Sequence, residues 1–408
     1  MVYFDDMRDY LEKKFGVTPP VFVLSVVSLF NDIASEMLYP IIPIFLTTML
    51  GAPASVVGLI EGVAEGVSSL LKGFLGKLSD LSRKRKIFVV LGYGLGTIAN
   101  LFYGLANTWH MVLAGKVTSR IGKGVRTGAR DALIAENVEQ GKMGSAFGFH
   151  RGADTIGAIL GPLLAVLFLH FYQDNYRLLF FLALVPTTTA LILLLVYIKE
   201  KQRGPVEEGF KRFRIRSLPR KFLFFSFIAT VFALGNSSDA FLILRAKGLE
   251  FSLVLTVLTY VLYNITYAAF SLPAGVISDK LGQKNVFILG LIIFALVYAG
   301  FALAQSGLLI WILFPIYGCY MALTDGVSKS YIATLVPAEQ LGTAYGFYYM
   351  LTGIAAFLAS LVGGLLWTHF GSEWTFFYGA TLALIAAILF MFSGGPHPAT
   401  PENAVMQP

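Results

Sequence analysis

The chain has 408 residues, of which 56% are hydrophobic and 13% are charged, and its mean hydropathy is +0.71. A soluble domain of this size carries roughly a quarter charged residues, so the composition excludes a surface that faces water on all sides. The single cysteine, Cys319, excludes an internal disulfide framework and a cysteine-based metal site. The net charge of +7 lies mostly in short loops between apolar runs, so we expect a lipid bilayer and no nucleic acid as partner.

The apolar runs recur along the chain, and each is close to the length of about 20 residues that crosses a bilayer as a helix. We predict twelve membrane-spanning helices, at residues 21–49, 54–77, 86–106, 109–132, 143–170, 177–198, 221–244, 252–276, 285–305, 308–334, 342–368 and 374–393. The first, second, fourth and fifth of them carry the most internal charge and give the weakest hydropathy signal.

Lysines and arginines between these runs are concentrated at residues 83–86, 199–221 and 280–284. Basic residues accumulate on the cytoplasmic side of a membrane. We therefore expect a multi-pass protein of the inner or plasma membrane with both termini in the cytoplasm. Two outer loops carry the exceptions Arg177, Arg245 and Lys247.

Five segments follow from these runs. A basic linker, 199–220, separates a six-helix bundle over residues 20–198 from a second over residues 221–393. The N-terminal segment, 1–19, lacks a basic head followed by a short apolar core and a cleavage site, so we expect no signal peptide. The tail at 394–408 is polar and proline-rich, which is typical of a disordered segment.

The two bundles share short sequence repeats at a nearly constant offset. GKLSD at 76–80 matches GVISD at 275–279, a shift of 199, and SAFGF at 145–149 matches TAYGF 198 residues later. Each half has an even number of helices, so the two copies have the same orientation. We expect an all-α membrane protein of two pseudo-symmetric six-helix bundles, with a substrate site between them near mid-membrane.

The stretch GKLSDLSRKRK, residues 76–86, resembles the loop motif between helices two and three of the major facilitator superfamily, and this resemblance covers essentially the whole chain. It implies a twelve-helix secondary transporter that works by alternating access, in which this loop holds the cytoplasmic side closed in one conformation. Leu81 stands where the family has an arginine. The gating residues carried over are Gly76, Asp80, Arg83 and Lys84, with Gly275 and Asp279 in the second copy.

Helix five resembles the motif of proton-coupled exporters in that superfamily through Gly148, Gly157, Gly161 and Pro162. Small residues at these steps permit close helix packing, and the proline bends the helix. A generic packing face is the alternative interpretation. In helix four, Arg120 partly matches a third family motif, whose arginine is linked to proton coupling.

Ionisable side chains inside membrane helices are costly, so they normally face a cavity and indicate function. Such side chains occur in helices one, two, four, five and ten. They include a basic stripe of Lys116, Arg120, Lys123, Arg126 and Arg130, and the helix-ten pair Asp325 and Lys329. Desolvation raises the pKa of a carboxylic acid in general and a nearby arginine lowers it, so a site that alternates between the two surroundings can bind and release a proton.

Three roles remain open for these residues. Our candidates for proton coupling are Asp32, Glu36, Glu61, Glu65, Arg120 and Asp154. Fixed ion pairs that hold the helices in register are the structural alternative, and an anionic-substrate site on the basic stripe is the second functional one. Arg126 and Arg130, nearer the cytoplasm, are also compatible with a closing gate.

The second half replaces most of these charges by tyrosines and amides, which suit an amphipathic organic ligand. Packing between helices is the alternative for each single tyrosine. The candidate substrate-binding residues are Asn31, Arg120, His150, Arg151, Asn236, Asp239, Tyr260, Asn264, Tyr348 and Tyr349.

The sequence therefore predicts a monomeric secondary transporter without cofactor or metal, most simply a proton-coupled exporter of a drug or metabolite. The alternative is an uptake symporter for an organic anion. A membrane enzyme acting on lipid phosphates is disfavoured, because the acids and bases lie deep within helices. The phosphate-loop spacing GxxxxGK[ST] is missing, which argues against ATP-driven pumping.

Overall fold

The structure is a computed structural model that describes residues 17–82, 85–138, 143–199, 218–249, 251–337 and 340–392. Within these ranges all regular structure is helical and forms twelve spans. The spans are α1 (Pro19–Thr48), α2 (Ala54–Ser82), α3 (Arg85–Gly104), α4 (Trp109–Ala135), α5 (Met143–Phe171), α6 (Tyr176–Tyr197), α7 (Arg220–Gly248), α8 (Leu253–Leu281), α9 (Gln283–Leu303), α10 (Gly307–Leu335), α11 (Leu341–Phe370) and α12 (Ser372–Met391). The prediction of an all-α protein with twelve helices is confirmed.

Ten of these spans are long and apolar enough to cross a membrane by length and composition, within the described ranges. The other two are α2 and α4, which carry the glutamates Glu61 and Glu65 and the basic stripe. Both are nevertheless 27 residues or longer, and each packs against the other. The charged side chains of α2 and α4 face the protein interior, and they lower the mean hydropathy of these two helices.

The two bundles repeat the same helix packing. In the first bundle α1 packs on α5, α2 on α4 and α3 on α4; in the second, α7 packs on α11, α8 on α10 and α9 on α10. Between the bundles, α2 packs on α11 and α5 on α8, which are again equivalent pairs. The fold is therefore two pseudo-symmetric six-helix bundles, as the repeats in the sequence predict.

Two equivalent helices, α1 and α7, are broken near their middle. In α1 the break falls at Tyr39 and Pro40, because Pro40 has no N–H for the helical hydrogen bond and its ring crowds the carbonyl group four residues earlier. In α7 it covers residues 236–239, where Ser238 Oγ accepts a hydrogen bond from the Ala240 N–H (3.3 Å) in competition with the helix. Broken helices expose backbone and polar side chains at mid-membrane, where transporters bind their substrates.

Close packing of α1 on α5 depends on two of the four motif residues in helix five. A Cβ atom on Gly157 would lie 2.9 Å from Asp32 Cβ, and one on Gly161 would lie 2.5 Å from the Ile33 carbonyl oxygen. Pro162 lies directly after this approach, inside α5. Gly148 differs, since no described atom lies within 4 Å of the place its Cβ would take. In this structure the expected packing is thus limited to the second half of the motif.

Among the described residues, α2 and α11 of the two bundles are in close contact at one end of the molecule, which we call the hairpin end because it carries the short turns at 49–53 and 304–306. There, Ser55 donates its N–H to Thr368 Oγ1 (2.9 Å), and a Cβ on Gly364 would lie 2.7 Å from the Ala54 carbonyl oxygen. The opposite end, where the linker 199–220 leaves α6, is called the linker end. The described contacts between α2 and α11 thus favour a cleft that is closed at the hairpin end.

Candidate transport site

A central cavity of about 390 Å³ lies between the bundles. Cavities of about 300–1,000 Å³ hold drug-sized ligands. The breaks of α1 and α7 both contribute to its wall, together with α2, α4, α10 and α11. The predicted site residues that line it are Glu61, Glu65, Arg120, Asn236, Asp239, Tyr348 and Tyr349.

A smaller cavity of about 130 Å³ lies inside the first bundle. Its wall contains the predicted residues Asn31, Asp32, Glu36, Arg120 and Arg126, and also Lys116 and Lys123. Tyr39 and Arg120 line both cavities. They therefore form the partition between the central cavity and the charged interior of the first bundle.

A buried ion pair near this partition joins Lys116 to Glu61. The Lys116 Nζ lies 2.7 Å from Glu61 Oε1, and these side chains are only 6% and 4% exposed. Lys116 also lies over the Tyr39 ring, 5.0 Å from its centroid. Because Glu61 lines the central cavity and Lys116 the smaller one, the pair crosses the partition. Arg120 is an electrostatic neighbour of both Glu65 and Glu61.

Asp32 belongs to a polar chain in the smaller cavity. Arg126 donates to Asn31 Oδ1 (3.3 Å), and Asn31 Nδ2 donates to Asp32 Oδ1 (3.1 Å). The Arg126 guanidinium also lies over the Tyr93 ring at 4.5 Å. Arg126, considered above as a gate between bundles, is thus buried inside the first bundle.

The helix-five residues lie outside the walls of both cavities. His150 Nε2 is 3.8 Å from Asp154 Oδ1, which is too long for a hydrogen bond, and Asp154 is an electrostatic neighbour of Asp32. Arg151 is exposed and is an electrostatic neighbour of Asp325. The structure therefore places Asp154 near the polar chain and leaves His150 and Arg151 outside the wall of the central cavity.

The break of α7 supplies a hydrogen-bonded wall on the second bundle. Asn236 Nδ2 donates to the Tyr320 hydroxyl (3.1 Å), and the Tyr317 hydroxyl donates to Asp239 Oδ1 (2.7 Å). The Ser238 N–H donates to Ser360 Oγ (3.2 Å). These tyrosines hold the side chains of the break in fixed positions at the cavity surface.

The α10 pair Asp325 and Lys329 also lines the central cavity. Lys329 Nζ lies 2.9 Å from Asp325 Oδ1, and Tyr267 donates to Asp325 Oδ2 (2.8 Å). The side chain of Lys329 is 44% exposed and that of Asp325 is 39% exposed. This pair thus sits where the cavity meets solvent, toward the linker end.

Tyr260 lies at the seam between bundles and is not part of either cavity wall. Its hydroxyl donates to Glu36 Oε2 (3.0 Å), and its ring stacks on Tyr39 with centroids 5.4 Å apart. Asn264 donates to the Tyr260 carbonyl oxygen (3.0 Å), within the same helix. Neither residue is positioned in this structure to contact a ligand in the central cavity.

The residues proposed from the family's gating loop are mostly beyond what the structure describes. Gly76 and Asp80 lie within α2, but their surroundings and side chains fall outside the described part, as do Arg83 and Lys84 entirely. In the second copy, Asp279 is exposed and no described atom approaches a Cβ on Gly275 within 4 Å. Arg130 pairs with Asp131 (2.9 Å) and donates to Ser28 Oγ (3.1 Å).

Several site residues were not singled out from the sequence, above all Tyr39. Its place directly before Pro40, in a predicted membrane helix, is the signal that marks it as a break residue. Tyr317 and Tyr320 belong to the tyrosines that are frequent in the second half, and neither was among the predicted site residues. Among the described residues, no group of three His, Cys, Asp or Glu side chains is arranged to hold a metal ion.

Two similar bundles of membrane-spanning helices around a central polar cavity define a membrane transport protein. The model of the Major Facilitator Superfamily matches residues 24–262 and 223–407. An uncharacterized MFS-type transporter of Methanocaldococcus jannaschii is 38% identical over 378 residues, which are 91% of this chain and 94% of that protein. The chain therefore belongs to the Major Facilitator Superfamily, and it is a secondary transporter and not an enzyme.

Other similar proteins differ in what their names say about transport. A multi-drug resistance efflux pump PmrA homolog of Lactococcus lactis is 23% identical over 392 residues, covering 91% of this chain and 94% of its own. The crystal structure of a D-xylose-proton symporter superposes with a TM-score of 0.74 at 15% identity, covering 92% of this chain and 97% of its own. The second likeness is one of fold alone.

Proposed function

We propose that this transporter is a proton-coupled exporter of a small organic molecule, located in the inner or plasma membrane with both termini in the cytoplasm, and that it acts as a monomer. The observation that carries this proposal is the partition formed by Tyr39 and Arg120. On one side of it lies a cavity of ligand size; on the other lie the acids Asp32 and Glu36 among buried cations.

Arg120 is the residue that links the central cavity to the smaller cavity. It has the acids Glu65 and Glu61 as electrostatic neighbours. A proton on Glu65 removes the charge that attracts the guanidinium, and Arg120 then interacts more strongly with the remaining acids. Protonation thereby changes the wall of the central cavity, so that substrate and proton occupancy become coupled.

The contacts between the bundles support alternating access. The hairpin end is closed by backbone contacts of α2 and α11, while Asp325 and Lys329 are partly exposed toward the linker end. With the linker in the cytoplasm, this arrangement is an inward-open state, in which an exporter loads its substrate. Rocking of the bundles about the seam then exposes the same cavity to the outside.

The alternative of an uptake symporter for an organic anion depends on the basic stripe. Three stripe residues, Lys116, Lys123 and Arg126, line the smaller cavity and not the central one. Lys116 is paired with Glu61, and Arg130 with Asp131. The basic side chains of the stripe thus interact with groups inside the first bundle. This favours a role in proton coupling or in holding the helices together over recognition of an anionic substrate.

Transport into proteoliposomes with an imposed pH gradient tests this function. With a panel of organic compounds, we expect substrate to move against the proton flow, read by a trapped pH dye. Glu65→Gln is expected to abolish gradient-driven transport and to retain exchange of substrate for substrate. The matched control is Glu136→Gln, which changes a carboxylate paired with Arg85 outside both cavities. Substrate moving with the protons contradicts export, and an unchanged Glu65→Gln variant contradicts the coupling role.

A further inference from the structure

The charges in the wall of the central cavity are unbalanced. Four carboxylates line it, Glu61, Glu65, Asp239 and Asp325, against the two cations Arg120 and Lys329. A charge removed from water is stable only when a counter-charge or several hydrogen bonds compensate it. Whether each carboxylate has a cationic partner in the protein therefore decides which ligand charge is complementary to the cavity.

Three of these four carboxylates have a cation within the protein. Glu61 is paired with Lys116 at 2.7 Å, and Asp325 with Lys329 at 2.9 Å. Glu65 has Arg120 as an electrostatic neighbour. Each of these acids is thus compensated by the protein itself.

Asp239 is held differently. The Tyr317 hydroxyl donates to it (2.7 Å), Tyr263 is a second hydrogen-bonding neighbour, and its main charged neighbours are the acids Glu61 and Glu65. The half-helix Ala240–Gly248 begins directly after it and contributes only the partial positive charge of its N-terminus. Ionised Asp239 therefore leaves the cavity with an excess of negative charge.

Seven aromatic side chains also line this wall, namely Tyr39, Phe232, Phe287, Tyr317, Tyr320, Tyr348 and Tyr349. The face of an aromatic ring carries partial negative charge and attracts cations at a distance of up to about 6 Å. The rings provide apolar contact for the body of a ligand as well. Carboxylate and ring faces together are complementary to a positively charged, partly aromatic molecule.

We propose that the substrates are organic cations, and that Asp239 is the residue that neutralises their charge in the central cavity. This inference deepens the proposed function, since it takes the central cavity as the substrate site, but it is independent of the direction of transport and of the coupling ion. It also explains why the second bundle has an acid at the α7 break although tyrosines and amides replace most of the charges that the first bundle carries at equivalent positions.

Equilibrium binding to the purified full-length protein, without any pH gradient, tests the inference. The probes are tetraphenylphosphonium and tetraphenylborate, which have the same shape and opposite charge, and the smaller cation benzyltrimethylammonium. We expect both cations to bind and the borate to bind at least about tenfold more weakly. Asp239→Asn is expected to weaken cation binding about tenfold or more, while Asp239→Glu retains most of it.

The control variant is Asp174→Asn, which makes the same change at an exposed turn with a positive φ of 56°, a conformation that asparagine tolerates. Size-exclusion and thermal unfolding confirm that each variant is folded. Tighter binding of the borate than of the phosphonium, no binding of either cation, or full cation affinity in folded Asp239→Asn would each overturn the inference. If Asp239-dependent cation binding is observed but protons do not move against the substrate, the proposed export function fails and this inference stands.

Discussion

The Tyr260 hydroxyl of α8 donates a hydrogen bond of 3.0 Å to the Glu36 carboxylate of α1, and so joins the two bundles through a half-buried acid. The Tyr260 ring also stacks on Tyr39, which lines both cavities. A movement of one bundle against the other must break or rebuild this contact. The charges in the smaller cavity are thereby linked to the interface about which the two bundles move.

Tyr260→Phe is expected to destabilise the state with a closed hairpin end, because the loss of a hydrogen bond to this half-buried acceptor costs about 1 kcal/mol. A cysteine at Ser360, in a Cys319→Ser background, should then react faster with an impermeant thiol reagent added from the hairpin side. Tyr197→Phe is the control, since Tyr197 is 61% exposed at the end of α6. Equal labelling rates in the two variants would show that the hydrogen bond does not hold this state.

The buried pair of Lys116 and Glu61 predicts strong non-additivity of mutations. Lys116→Ala leaves the Glu61 carboxylate without its partner and is expected to lower stability by about 3–5 kcal/mol, whereas the double variant Lys116→Met with Glu61→Met should lose much less. Thermal unfolding of both single variants and the double variant measures this coupling. Additive effects would mean that each charge is compensated by other groups.

The α10 pair Asp325 and Lys329 should behave in the opposite way, because its side chains are 39% and 44% exposed. Ion pairs in contact with water contribute about 0–1 kcal/mol. We expect Lys329→Ala to leave the unfolding temperature nearly unchanged while it alters the affinity for substrate in the central cavity. A loss of stability as large as that of Lys116→Ala would contradict this view of the cavity mouth.

Gly148 and Gly161 of α5 both belong to the family motif, but their surroundings differ. Gly161→Ala places a Cβ 2.5 Å from the Ile33 carbonyl oxygen and should separate α1 from α5, at a cost of about 1–3 kcal/mol. Gly148→Ala meets no described atom within 4 Å and should be neutral or slightly stabilising, since alanine favours a helix. The measurement is thermal unfolding in one detergent, and equal destabilisation by both changes would refute the packing argument.

The sequence alone determined the twelve helices, the division into two bundles and the family. Backbone groups in lipid must be hydrogen-bonded within the helix, so a long apolar run permits one structure. The runs of α2 and α4 were long enough to be predicted although charge weakens their hydropathy signal. The acids Glu61 and Glu65 are four residues apart and so share one face of α2, and both line the central cavity. These features depend on local chemistry and need no knowledge of neighbouring helices.

Only the tertiary structure decided which charges meet. Spacing along a helix gives the face of a residue, but not the rotation of that helix against its neighbours. For this reason Tyr260 was expected in the substrate cavity and lies on the seam, and Arg126 was considered as a gate and lies inside the first bundle. The ion pair of Lys116 with Glu61 and the hydroxyl contacts of Asp239 each join helices far apart in the chain, so their energies depend on a packing that no local pattern encodes.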